Sequence, residues 1–203
     1  VLVQVLKDPL GTKGARLTTF ITIPSRYLVM MPQGEGVRVS ARIDDDEERE
    51  RLRQIVESLG DNDTTRGYIV RTAAEGVSAE RLRADMLFLQ KLWETIEESI
   101  AQSQPGELIY EDLPLALRLL RDLLSSEMER VRVDSELTFN EMKDFADRFV
   151  PHISPTIEHY ADERPIFDLY SVEAEIERAL ERKVPLKSGG YLIIDQTEAM
   201  TTI

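Results

Sequence analysis

Arg71 and Thr72 follow the apolar run Gly67–Tyr68–Ile69–Val70, in the stretch GYIVRTAAEG, and are the first pair in the chain whose types suit a defined chemistry. A guanidinium presents a planar fork of donors that matches a phosphate, and a neighbouring hydroxyl adds another. The C-terminal end of a strand is where α/β folds collect ligand groups, and turn N–H groups there can complete an anion nest. Hydrogen bonds to charged groups contribute about 1.5–3 kcal/mol each, so two or three suffice to recognise a phosphate monoester. The alternative is an Arg71 paired with a nearby carboxylate and a Thr72 that closes a turn on its own backbone. Spacing alone leaves both open.

Other candidates are weaker. Lys13, in the Gly-flanked TKG loop, suits an RNA phosphate or plain solvent. Asp195 and Glu198, in LIIDQTEAM, suit a divalent metal, with a helix N-cap at Asp195 as the alternative. Gly189 and Gly190 read as a hairpin turn, His152 and His159 as structural, and Tyr68, Phe88 and Trp93 as core.

The elements that must position these residues follow from periodicity. VLVQVLK, ARLTTFITI and RYLVMM alternate as strands, separated by the DPLGTKG loop and closed by a turn at GEG. Asp44, Asp45 and Asp46 open a helix carrying Leu52, Ile55, Val56 and Leu59, and the loop DNDTTRG leads into GYIV. Ser78 is a suitable N-cap for a long helix bearing Leu82, Met86, Leu89, Leu92, Trp93 and Ile96. Beyond QSQPG the pattern predicts strands at ELIY, RVRVD, TIEHY, KVPL and YLIIDQ. Helices are predicted at PLALRLLRDLLSSEM, LTFNEMKDFADRF and IFDLYSVEAEIERALER. Such alternation argues for α/β layers after about residue 105, preceded by a smaller α+β unit.

The chain has 203 residues, no cysteine and a net charge of −13. Disulfides and thiolate metal sites are excluded, no run is long and apolar enough to span a membrane, and a cytoplasmic protein is expected. An acidic surface repels nucleic acid, yet residues 1–42 carry six cations (Lys7, Lys13, Arg16, Arg26, Arg38, Arg42) against two acids (Asp8, Glu35). That segment is +4 and the remainder −17, a basic N-terminal face on an acidic body. The strand pattern starts at Val1 and stops abruptly at Ile203, so a segment of a longer protein is expected.

KDPLGTKGARLTT, RYLVMMP, YIVRTAAEG, RPIFDLYSVEAEIERALERKVPLKSGG and YLIIDQTEAMTT together resemble the RNase E/G endoribonucleases, and the RNase G branch most of all. The resemblance implies a mixed α/β and α+β chain with four regions. Residues 1–18 would end an OB-type RNA-binding domain, 19–104 form a 5′-sensor region, 105–182 an RNase H-like region, and 183–203 the start of a DNase I-like catalytic region. It implies that Arg71 and Thr72 grip the 5′-monophosphate of single-stranded RNA, that Ser25 and Val29 line the pocket, and that Lys13 and Arg42 contact RNA. Two departures affect the grip on the first nucleotide: Ser25 stands for a pocket glycine, and Ala41 for an arginine. Magnesium-assisted hydrolysis, zinc and homo-oligomerisation are implied for the complete enzyme. The metal-binding aspartates and the zinc cysteines lie beyond TEAMTTI in the family, so the chain is expected to hold no metal and to be inactive alone. A non-catalytic RNA-binding module and an acidic protein-interaction scaffold are the rival classes.

Overall fold

The computed structural model describes residues 1–60, 66–123 and 128–203. The loop expected at DNDTT and the last turn expected of PLALRLLRDLLSSEM lie outside the described residues. Two compact units are present: Val1–Glu129 with Glu141–Thr156, and Arg130–Asn140 with Ile157–Ile203.

In the first unit, β1 (Gln4–Lys7) and β2 (Arg16–Thr18) form an antiparallel hairpin. Strands β3 (Ile23–Pro24), β4 (Leu28–Met31), β5 (Val37–Val39) and β6 (Gly67–Val70) build a sheet in the order β3–β4–β6–β5, with β5 and β6 parallel and the other neighbours antiparallel. The single strand expected over ARLTTFITI is interrupted. The side-chain amide of Gln4 bonds the backbone of Thr22 as donor and as acceptor, each at 2.9 Å, where a ladder would have run. Strand β5 carried no signal in the pattern, since three residues are too few for alternation to show. Gly67 is required where it stands: a Cβ there would lie 2.9 Å from the Glu35 nitrogen and from a Met31 side-chain carbon.

Helix α1 (Asp46–Leu59) starts where Asp45 accepts from the N–H groups of Glu47 and Glu48, with three acids in its first turn. Helix α2 (Ala79–Gln102) begins at Ser78, whose hydroxyl makes no capping bond. Both helices pack on the sheet and on each other. Leu52 and Val56 of α1 and the α2 stripe of Leu82, Met86, Leu89, Leu92 and Ile96 are buried, as are Leu28, Met30 and Val70 of the sheet. Tyr68, Phe88 and Trp93 are core residues, as expected. Helix α3 (Leu115–Leu123) follows. ELIY is not a strand: no described strand pairs with it, and Leu108 is exposed. Alternation without a partner leaves backbone groups unpaired, so it does not make a strand.

In the second unit, β7 (Val131–Val133) and β8 (Ile157–His159) pair in parallel. Helix α4 (Glu136–Phe149) has residues 136–140 in this unit and 141–149 in the first. The single helix expected over IFDLYSVEAEIERALER is two, α5 (Ile166–Leu169) and α6 (Val172–Leu180), because Ser171 is left-handed at φ 54° and breaks the ladder. β9 (Lys183–Pro185) and β10 (Tyr191–Ile193) form the expected hairpin, with Gly189 at φ 89° in its turn. β11 (Asp195–Gln196) pairs with β12 (Thr201–Thr202). Among the described buried apolar residues, only Ile157 and Tyr160 belong to this unit.

The architecture is mixed α/β with several small sheets, and no sheet among the described residues closes into a barrel. The layers expected after residue 105 amount to one parallel pair and short antiparallel ones. Among the described residues no helix is long and apolar enough to cross a membrane.

Candidate anion-binding site

Because β5 and β6 run parallel and β4 opposes them, the ends of β5 and β6 and the start of β4 share one end of the sheet. Arg71 leaves β6 there, its N–H donating to the Tyr27 carbonyl at 2.8 Å, while the Ser40 N–H donates to the Val70 carbonyl at 2.9 Å. The Arg71 Nη1 donates to the Ser25 carbonyl at 2.5 Å. No ion pair among the described residues includes Arg71. The guanidinium is therefore anchored by a neutral carbonyl, not by the carboxylate that the alternative required. The residue is exposed, beside the exposed Thr72 that opens the 3-10 turn Thr72–Ala74. This combination suits an incoming anion.

Two carboxylates stand behind the loops that carry these groups. Asp85 of α2, only 8% exposed, accepts at one oxygen, Oδ2, from the Ser25 hydroxyl at 2.5 Å and from the N–H groups of Tyr27 and Leu28 at 3.0 and 2.9 Å. Burial pushes its carboxyl up, against the opposing pull of those donors and of the Arg26 N–H. Glu48 of α1 accepts from Arg51 through both oxygens, at 2.5 and 2.6 Å, and from the Gly76 N–H at 2.9 Å. The Arg51 hydrogen bond holds the Glu48 carboxyl down at about 2. Arg51 also donates to the Val77 carbonyl at 3.2 Å, so the pair fastens the segment that follows the Thr72–Ala74 turn.

Ser25 is fully buried, with its hydroxyl turned to Asp85 and to the Leu28 carbonyl, so only its backbone faces Arg71. Val29, half-buried in β4, lies opposite Ile69 and Pro24, on the sheet face away from the buried Leu28 and Met30. Arg42 follows Ser40 at the same sheet end, its N–H donating to the Ser40 hydroxyl at 3.3 Å. Lys13 is exposed in the β1–β2 loop, on a separate sheet. Arg26, next to Ser25, lies over the Tyr27 ring at 5.0 Å. Asp195 is not an N-cap: it lies in β11, paired at the surface with Arg182 through two hydrogen bonds of 2.6 and 2.9 Å. No group of three His, Cys, Asp or Glu among the described residues could hold a metal. The pattern reading passed over Asp85 and Glu48. Asp85 had one available signal, a carboxylate set among Leu82, Met86 and Leu89 on an apolar stripe.

A model of the ribonuclease E/G family matches residues 22–203. The chain is similar to ribonuclease G of Salmonella typhimurium (strain SL1344), 53% identical over 203 residues, covering 100% of the chain and 41% of that protein. It is likewise similar to ribonuclease G of Haemophilus influenzae, at 51% identity and the same coverage. Ribonuclease E of Nostoc sp. is 40% identical over 206 aligned positions, covering 100% of the chain and 30% of that protein. The chain thus spans 41% of the length of the ribonuclease G relatives.

Proposed function

The chain belongs to the ribonuclease E/G family, and from that premise we propose that it supplies the RNA-end recognition of an endoribonuclease that processes RNA, with Arg71 and Thr72 binding the 5′-monophosphate of single-stranded RNA. One observation carries this reading: an exposed guanidinium, anchored on the Ser25 carbonyl and in no described ion pair, beside an exposed threonine hydroxyl. In a chain of net charge −13, an arginine kept from carboxylates at a strand end is suited to a ligand's negative charge.

In this reading Val29 and the backbone of Ser25 line the pocket, and Arg42 and Lys13 contact the RNA that leads away from it. Residues 1–18 end an OB-type domain, 19–104 form the 5′-sensor, 105–182 the RNase H-like region and 183–203 the start of the DNase I-like region. Magnesium-assisted hydrolysis, zinc, homo-oligomerisation and a cytoplasmic setting belong to a protein of the relatives' full length. Among the described residues no cluster of three or more His, Cys, Asp or Glu is placed to hold a metal. End recognition is assigned to this chain and cutting is not.

The test is equilibrium binding to a short single-stranded RNA bearing either a 5′-monophosphate or a 5′-hydroxyl, with Arg71→Ala as the control. The expected result is tighter binding of the monophosphate, lost in Arg71→Ala with the melting temperature unchanged. Equal affinity for the two RNAs rejects end recognition. A collapse of stability in Arg71→Ala makes the arginine structural.

A further inference from the structure

Asp85 is a buried titratable group whose described side-chain hydrogen bonds go to Ser25, Tyr27 and Leu28, not to Arg71 or Thr72. Resting on the end-recognition reading above, we propose that Asp85 is the positioning residue of the phosphate clasp: one carboxylate oxygen on α2 fixes the Ser25–Leu28 turn and through it aims Arg71. The Ser25 hydroxyl and the N–H groups of Tyr27 and Leu28 converge on the same Oδ2. The turn so held presents the Ser25 carbonyl to the Arg71 guanidinium and the Tyr27 carbonyl to the Arg71 N–H. Both described hydrogen bonds that Arg71 donates therefore go to residues that Asp85 holds. Arg121 braces the start of the turn, its Nη1 donating to the Pro24 carbonyl at 3.1 Å.

The physical need is clear. A free arginine side chain samples many rotamers and gives up that freedom when an anion arrives. Anchoring it beforehand on a fixed carbonyl leaves less to lose on binding. A carbonyl in a mobile turn could not do this. Fixing the turn from a 24-residue helix ties the clasp to a rigid element. Without Asp85 the two N–H groups and the hydroxyl lose their shared acceptor, and the turn relaxes to find others.

The binding assay above tests this when run on the wild-type chain, Arg71→Ala, Asp85→Asn and Asp85→Ala, each at a temperature where circular dichroism shows it folded. The quantity read is the ratio of affinities for the two RNA ends, which a loss of folded fraction does not change. The wild type is expected to prefer the monophosphate about tenfold or more, as one or two charge-assisted hydrogen bonds give. Asp85→Ala is expected to bring the ratio to within about twofold of unity, and Asp85→Asn, which keeps an acceptor oxygen without its charge, to lower it about threefold. A folded Asp85→Ala with the wild-type ratio overturns the proposal, and so does an equal fall in both affinities. If Asp85→Ala does not fold, Asp85→Asn decides: a lowered ratio supports the proposal and an unchanged one overturns it. A wild type without preference, or an Arg71→Ala that keeps it, overturns the end-recognition reading itself and the proposal with it.

Discussion

Glu48 and Asp85 are both acids behind the site, yet their environments set them apart. Glu48 meets a full positive charge and a backbone N–H at partial exposure, so its carboxyl is held down at about 2. Asp85 meets hydrogen-bond donors inside the core, and burial pushes its carboxyl up. A carboxyl whose folded pKa is depressed contributes stability that is complete above the ordinary value of 4.5 and is lost as the pH falls towards about 2. Glu48→Gln is therefore expected to cost about 1–2 kcal/mol at neutral pH, discounted for solvent screening, and progressively less below the carboxylate range. Urea midpoints of the two proteins between neutral and acid pH measure this. Midpoints that stay equal at every pH would show that the pair does not fasten the Gly76–Val77 segment. Why Arg71 pairs with no described carboxylate was not legible in the sequence. Arg71 and Ser25 are 46 positions apart, and only the β4–β6 pairing brings them together.

At the scale of elements, β6 starts tightly packed against the turn that precedes β5, at the end of the sheet opposite Arg71. Gly67 pairs with Met31 across the β4–β6 ladder and passes within contact distance of Gly34 and Glu35. A methyl group there has no room that backbone could yield cheaply. Gly67→Ala is expected to destabilise the chain by about 1–3 kcal/mol, as overpacking does, read as a lowered melting temperature. A variant as stable as the wild type would mean that the turn gives way freely. GYIV was predictable as a strand from its apolar run. Its pairing with β4 on one side and β5 on the other was not, because VRV is too short to announce itself.

At the scale of the molecule, apolar burial is concentrated in the first unit: nearly all the described buried apolar residues lie there, and Phe167, Leu180 and Tyr191 of the second unit are exposed. Local stability follows burial. Amide hydrogen exchange is expected to be slowest in β4, β6 and the centre of α2, and fastest among β9–β12. Uniform protection across both units would contradict that distribution. The uneven charge acts at the same scale, with +4 in residues 1–42 and −17 beyond them placing an excess of cations where the first sheets are.

Periodicity is a local property, and what it dictates came through: α1 with its acidic start, the long α2 with its apolar stripe, the GYIV strand, the KSGG hairpin, and Arg71 and Thr72 at a strand's end. It overreached where a pattern needs a partner to become a structure, as at ELIY, and where one residue's backbone breaks a helix, as at Ser171. The tertiary structure decided which groups meet: Asp85 with Ser25 across 60 positions, Glu48 with Gly76 across 28, and Asp195 with Arg182 across 13. A hydrogen bond is made by whichever donor and acceptor the packed core brings within about 3 Å, and residue spacing along the chain does not encode that distance.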